Sequence, residues 1–350
     1  MTERRIRVLV VDDSPTVRGH LADVLRGDPQ FDVIAEAGDG HTAIQLCTTL
    51  RPDVMTLDLA LPGINGLGVT EHVMAHAPTP ILIVSASMNR GDVLDTYAAL
   101  AAGAVDVLDK ARASEPDWEQ RFLAAVRMAS RIKVITHPRA RLAGLGATRR
   151  ATPSAAPPIT PHARRVELVA IGASTGGPGA LVEVLSALPA SPPAPVVVLL
   201  HIDAAFAVPF ADWLTTASGR TVTVARHGEP LQAGRILFAP PDRHLTVAGR
   251  RVTLVTSPPR HHCRPSIDVL FESVAAEYGD AAVAAVLTGM GRDGAAGLLD
   301  IRRAGGRTIA QDEATSVIWG MPREAIALGG AESVLPLDQI GPAIARLVTP

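Results

Sequence analysis

Five short runs rich in Val, Ile and Leu open this chain, at residues 6–11, 31–37, 54–59, 80–84 and 105–108. None keeps a strict apolar–polar alternation. A strand solvated on one face must alternate, so such runs belong to a parallel sheet covered on both sides. Helical periodicity fills the intervals at 16–26, 41–50, 66–76 and 90–102, and a last helix is predicted at 117–133. Parallel strands need crossover connections, and helices supply them. The first third of the chain therefore reads as (βα)5, an α/β unit with helices on both faces of one sheet.

A second α/β region starts at Val166. Its strands are predicted at 166–171, 195–200, 221–224, 235–238, 282–287 and 307–310. A hairpin is expected across 243–255, turning at Ala248-Gly249-Arg250. Helices are predicted at 179–187, 206–217, 267–277, 295–304, 322–328 and 337–347. The pattern implies a doubly wound, mostly parallel sheet.

Between the two regions the chemistry changes. Residues 136–165 hold five prolines and six arginines and no acidic residue. The stretch carries +6 in a chain of net charge −2, so the remainder sums to −8. We expect three segments: a first domain over 1–133, a flexible basic linker over 134–165 and a second domain over 166–350. No aromatic residue accompanies the linker's charge, which argues against a nucleic-acid arm. No apolar run reaches the roughly 18–20 residues of a membrane helix. The N-terminus lacks the apolar stretch and cleavage site of a signal peptide. Two distant cysteines, Cys47 and Cys263, are too few for a disulfide scaffold. A cytoplasmic protein without direct membrane insertion is expected.

Polar groups gather at the predicted strand ends of the first domain. Asp12 and Asp13 follow the first strand, Asp58 closes the third, Ser85 follows the fourth and Lys110 the fifth. In a sheet of order 2-1-3-4-5 these ends are neighbours, so one pocket can collect them. Three carboxylates together call for a cation, and Mg²⁺ is hard and oxygen-seeking. Only two of the 33 basic residues are lysine, Lys110 and Lys133. A chain that nearly always uses arginine thus places lysine where a compact amine is needed.

These residues, with Val8-Leu9-Val10-Val11-Asp12-Asp13-Ser14, Leu61-Pro62-Gly63-Ile64-Asn65-Gly66 and Ser85-Ala86, resemble a flavodoxin-like response-regulator receiver domain. The resemblance implies phosphorylation of Asp58 by a histidine kinase. It implies Mg²⁺ bound by Asp13, Asp58 and the Ala60 carbonyl, with Asp12 assisting through water, and phosphoryl contacts from Ser85 and Lys110. Two positions depart from the family pattern: Ala111 stands where proline usually follows the lysine, and Val107 replaces a common switch aromatic.

The second domain opens with Gly172-Ala173-Ser174-Thr175-Gly176-Gly177-Pro178 between a strand and a helix. Such a G-x-S-x-G turn exposes a serine hydroxyl at a helix N-terminus. A dinucleotide fingerprint fits worse, because Ser174 occupies the middle glycine position and no ribose-binding acid follows. His201 follows the strand at 195–200, and Asp293 follows the strand at 282–287. Ser174, His201 and Asp293 would then share one sheet edge as nucleophile, base and orienting carboxylate. Main-chain N–H groups of Thr175 and Met290 are candidate oxyanion donors. His227, His244, His261 and His262 read as loop or hairpin positions, and a fourth metal ligand for His261-His262-Cys263 is not evident.

The order Ser…His…Asp resembles the chemotaxis protein-glutamate methylesterases. So do Gly228-Glu229-Pro230-Leu231, Ala239-Pro240-Pro241-Asp242-Arg243-His244-Leu245, Arg264-Pro265-Ser266-Ile267-Asp268-Val269-Leu270-Phe271, the run 287–294, and Trp319-Gly320-Met321-Pro322. Asp203 departs from the family's usual surroundings of the histidine. The resemblance implies a serine carboxylic-ester hydrolase acting on methyl-accepting chemotaxis receptors, and a monomer is expected. Its substrates would be glutamate γ-methyl esters, the ester chemistry needs no cofactor, and some members also deamidate glutamines. The tethered layout implies control through Asp58. The competing reading is a response regulator whose output domain only binds a partner. A DNA-binding output is weaker, since that region is not basic and shows no helix-turn-helix.

Overall fold

The computed structural model describes residues 4–85, 90–110, 115, 117–132, 134, 165–202 and 204–349. They form two compact units. The predicted linker, apart from Val134 and Arg165, lies outside the described residues, as do Ala86, Ala111, Lys133 and Asp203.

The first unit contains β1 (Ile6–Val11), α1 (Pro15–Gly27), β2 (Phe31–Ala37), α2 (Gly40–Leu50), β3 (Val54–Leu57), α3 (Gly66–His76), β4 (Ile81–Ser85), α4 (Arg90–Ala101), β5 (Asp106–Asp109) and α5 (Trp118–Ala129). Its sheet runs β2-β1-β3-β4-β5, all parallel, in the expected order. β1, β3 and β4 are almost wholly buried, which is why their sequences do not alternate. Register fixes the functional edge. Val11 pairs with Leu57, so Asp12 and Asp58 come next on adjacent strands. Ser85 pairs with Asp109, so Lys110 emerges beside them. β3 stops two residues before the predicted end, because the chain turns into the acidic edge at Asp58. Trp118 and Phe122 of α5 stack at 5.4 Å, and the Trp118 indole donates to the Asp109 carbonyl, tying α5 to the end of β5.

The second unit contains β6 (Leu168–Ala173), α6 (Gly177–Ser186), β7 (Val196–Leu200), α7 (Ala204–Ser218), β8 (Val222–Val224), β9 (Ile236–Phe238), β10 (His244–Ala248), β11 (Arg251–Val255), α8 (Ile267–Tyr278), β12 (Ala282–Val286), α9 (Ala295–Arg303), β13 (Arg307–Gln311), α10 (Met321–Ala327), β14 (Ser333–Leu335) and α11 (Leu337–Val348). Seven parallel strands run β14-β13-β12-β6-β7-β9-β8. β10 and β11 form the expected antiparallel hairpin, with Gly249 and Arg250 both at positive φ as a two-residue turn requires. β14 has no counterpart in the sequence reading: three residues at a sheet edge carry too little periodicity.

From β6 the chain winds towards β7, and from β12 it winds the other way towards β13. The crevice between β6 and β12 is thus the topological switch point, where open α/β sheets place their sites. β6 extends to Ala173, two residues beyond the predicted end, because Ala173 still pairs with Leu200. Small residues are needed there: a Cβ on Gly172 would lie 2.5 Å from Ile267 Cγ2, so α8 packs directly on the strand. Beneath it, Phe271, Leu270 and Val274 of α8 are fully buried against Leu168, Ala170 and Ala284. Truncating Phe271 to Ala removes a fully buried ring, which typically costs about 3–5 kcal/mol. Urea unfolding of the full chain should show the second unit's transition moving to lower denaturant, by that energy divided by its m-value, with the first unit's transition unchanged.

Candidate active site

Each unit carries one polar cluster at the C-terminal edge of its sheet. In the first, carboxylate oxygens of Asp12, Asp13 and Asp58 lie within 4.8 Å of one another. Lys110 Nζ sits 2.5 Å from Asp12 Oδ2 and 2.7 Å from Asp58 Oδ2. Asp12 and Asp58 are buried and Asp13 is exposed. Burial pushes the Asp12 carboxyl above its usual range, and the Lys110 hydrogen bond and charge pull against that shift. One ammonium faces three carboxylates, an excess of negative oxygen suited to a hard divalent cation. Ser85 ends β4 in a buried position, and Ala60 lies exposed just beyond Asp58. Ser14 caps α1 and donates its N–H to Asp12 Oδ1, fixing that carboxylate's orientation.

In the second unit, Ser174 follows β6, and its N–H donates to the Thr288 carbonyl. Gly176 then adopts φ +76°, and α6 begins at Gly177. A Cβ on Gly176 would meet Val317 Cβ at 2.5 Å, so only glycine allows this tight turn. His201 follows β7, anchored by its N–H to the Ala173 carbonyl at 3.1 Å. Its Nε2–H donates to Asp293 Oδ2 at 2.9 Å. The other ring nitrogen, Nδ1, faces Cys263 Sγ at 3.9 Å. Among the described residues no hydrogen bond joins Ser174 to His201.

Asp293 is buried and densely held. Beyond His201 it accepts from the Ser266 hydroxyl at 2.7 Å, the Ile267 N–H at 2.7 Å and the Asp268 N–H at 3.1 Å. These donors form the N-terminus of α8, which favours negative charge. Burial works against the charged carboxylate, but the His201 and Ser266 hydrogen bonds keep Asp293 below its usual range. For His201, burial works against the charged ring, yet the Asp293 bond and the neighbouring Cys263 raise it to about 9.

The loop after β12 brings the candidate oxyanion donors close to the serine. A Cβ on Gly289 would lie 2.7 Å from Ser174 Cβ, and Met290 is the next residue, with its side chain exposed. Thr288 links this loop to the serine turn: its hydroxyl donates to the Thr175 carbonyl at 3.0 Å and accepts from the Ile318 N–H at 2.9 Å. The sequence reading missed Ser266 as a partner of Asp293. The available signal was a serine just before an apolar-periodic helix, an N-cap pattern, and Ser266 does accept from the Val269 N–H. It also missed Cys263 beside His201, which only the fold reveals. His261, read as a loop position, donates from Nε2 to the buried carboxylate of Asp268 at 3.2 Å.

The His201–Asp293 pair makes a pH prediction. A folded-state value of about 9 against an ordinary 6.5 means the pair stabilises the fold fully below pH 6.5. That stability fades as pH rises through about 9. NMR titration of His201 should show the raised value, and Asp293→Asn should bring it down towards 6.5. An unchanged value in the variant would contradict the pairing.

A family model described as CheB methylesterase matches residues 169–344, and one described as response regulator receiver domain matches residues 8–116. A protein-glutamate methylesterase/protein-glutamine glutaminase of Anaeromyxobacter dehalogenans is 44% identical over 99% of this chain and 98% of its own length. A namesake from Nitrosospira multiformis is 41% identical over 98% of this chain and 97% of its own. The crystal structure of the Thermotoga maritima CheB methylesterase catalytic domain is 36% identical, with a TM-score of 0.50, covering 53% of this chain and all of that domain. With a model spanning half the chain and relatives aligned along nearly all of it, the chain belongs to the CheB methylesterase family, with a receiver domain preceding the catalytic one.

Proposed function

We propose that the second unit hydrolyses glutamate γ-methyl esters on chemotaxis receptors, and that phosphorylation of Asp58 by a histidine kinase controls it. The observation that carries this reading is the bond from the half-buried His201 to the buried Asp293 at the switch point, one strand from Ser174. Ser174 Oγ attacks the ester carbonyl while His201 takes its proton at Nδ1, the nitrogen that Asp293 leaves free. The Thr175 and Met290 N–H groups face the tetrahedral oxyanion. His201 then hands the proton to the leaving oxygen, and methanol departs from an acyl-enzyme. Water, deprotonated by His201, attacks that ester and regenerates Ser174 with a receptor carboxylate. The same route with a glutamine side chain releases ammonia, in line with the double name of the curated relatives. All three positions of the relay are retained, which favours catalysis over an output domain that only binds a partner.

In the first unit, Asp13, Asp58 and the Ala60 carbonyl would hold Mg²⁺, with Asp12 acting through water. The ion would offset charge on the incoming phosphoryl group. Lys110 and Ser85 are placed to bind phosphoryl oxygens, and Asp58 is the acceptor. We assign the receiver to residues 1–133, the linker to 134–165 and the catalytic domain to 166–350.

Ser174→Ala should abolish methanol release from methylated receptor membranes, and unchanged turnover would overturn the nucleophile. Asp293→Asn leaves the imidazole in the wrong tautomer, and a loss of roughly 10⁴ in kcat is expected. Since the base must be neutral, kcat/KM should climb with pH towards an inflection near 9. A small-molecule phosphodonor should raise the rate of the full chain. Asp58→Asn should abolish that response while leaving the unstimulated rate measurable.

A further inference from the structure

We infer that Arg292 is a specificity residue of the second unit: its guanidinium, set in place by His261, binds a carboxylate of the substrate chain beside the scissile ester, so that acidic segments are favoured. Arg292 lies on the loop that carries the candidate oxyanion donor Met290 and ends at Asp293. That loop reaches the nucleophile, since a Cβ on Gly289 would lie 2.7 Å from Ser174 Cβ. Three residues of chain span at most roughly 11 Å, so the Arg292 backbone stays within that distance of Gly289. Met290, Gly291 and Arg292 are all exposed, whereas Asp293 is buried. A chain approaching Ser174 meets this stretch.

The guanidinium is held at one end only. Its Nε–H donates to His261 Nδ1 at 3.4 Å. His261 in turn donates from Nε2 to Asp268 at 3.2 Å, and Asp268 is fully buried. The Gly297 N–H fixes Asp268 at 2.7 Å. A row of hydrogen bonds thus runs from the core to an exposed arginine. Among the described residues neither Nη nitrogen of Arg292 has a hydrogen-bond or ion-pair partner. A guanidinium oriented at Nε with its Nη fork open matches a carboxylate bidentately. The anchor itself is strained. His261 and His262 sit at φ +52° and +63°, inside a turn closed by two backbone hydrogen bonds between Arg260 and Cys263. Such strain persists only where the surroundings hold it. Here it places the His261 ring between Asp268 and Arg292.

The charge around the imidazole suits the same class of partner. The two segments that reach His201, 260–264 and 289–293, hold three arginines and one acid, the buried Asp293. Arg260 is compensated by Glu272 at 2.5 Å. Arg264 makes no ion pair among the described residues: it donates to the Ser257 carbonyl at 3.4 Å, and its buried Nε has no hydrogen-bond partner. Two uncompensated guanidiniums therefore stand on these segments. A carboxylate is the anion at hand, because each hydrolysed ester or deamidated glutamine leaves a glutamate on the substrate chain. The choice of substrate rests on the esterase reading, whereas the carboxylate contact does not involve the chemistry at Ser174.

The test uses the full chain and labelled peptides flanked on both sides by glutamates or by serines. The central residue is norleucine for binding, which nothing can hydrolyse at its side chain, and glutamate γ-methyl ester for turnover. By fluorescence anisotropy the wild type should bind the acidic norleucine peptide roughly five- to tenfold more tightly than the serine one. Arg292→Ala should bring that ratio down towards one, and Arg292→Lys should keep part of it. Arg292→Glu should invert it and bind a lysine-flanked peptide best. His261→Asn, which tolerates the same backbone conformation, should lower the ratio because the fork loses its anchor. Turnover of the ester peptides should follow the same order through KM, and added salt should shrink the difference. Equal binding of the two norleucine peptides by the wild type, or a preference kept in Arg292→Ala and Arg292→Glu, overturns the proposal. A ratio unmoved by His261→Asn overturns the positioning role of His261. A binding preference with no hydrolysis of either ester peptide overturns the esterase reading and leaves the carboxylate contact standing.

Discussion

One buried carboxylate organises the catalytic unit. Asp293 accepts from Ser266, from two backbone N–H groups opening α8, and from His201. An isolated buried carboxylate would be strongly unfavourable, and hydrogen bonds alone rarely offset such desolvation. Here the helix N-terminus adds its dipole, and the imidazole adds a proton to share. The same bonds fix where α8 begins. Ser266 both caps the helix and donates to Asp293, so the helix and the catalytic carboxylate cannot shift independently. α8 in turn packs on Gly172 of β6, the strand that carries Ser174. Position therefore passes from Asp293 through α8 to β6 and Ser174, and directly to His201.

The receiver handles its acids differently. One ammonium pairs with Asp12 and Asp58, the N–H of the α1 cap Ser14 also reaches Asp12, and Asp13 stays exposed. A lysine here would suit the proposed phosphorylation of Asp58, which changes the charge of its site. Fixed N–H donors would suit the proposed role of Asp293, whose charge stays constant while it orients the imidazole. The two clusters occupy equivalent places at the C-terminal edges of parallel sheets, and the contrast between them follows from their chemistry.

Most of this was legible in the sequence because parallel sheets announce themselves. Strand ends point to Asp12, Asp58, Lys110, Ser174, His201 and Asp293, since a βα turn is where a sheet presents side chains. What was illegible depended on distant pairings. Cys263 lies 62 residues from His201 in sequence, and no periodicity connects them. β14 is three residues long and owes its place to β13 alone. The cap pattern at Ser266 is local, whereas its bond to Asp293 needs the loop after β12 to arrive from 27 residues away.

The position of Cys263 changes how the imidazole must be viewed. Asp293 claims Nε2 as donor, which fixes the tautomer and leaves Nδ1 as the basic nitrogen. The Cys263 thiol faces that nitrogen at 3.9 Å. It also shares in raising the ring towards 9, and so lowers the fraction of free base at neutral pH. Two groups thus act on one ring in the same direction. Asp293 holds the ring at Nε2, and Cys263 faces it at Nδ1. The strained turn that carries the thiol makes this arrangement part of the fold, because a relaxed loop at His261 and His262 would place the sulfur elsewhere.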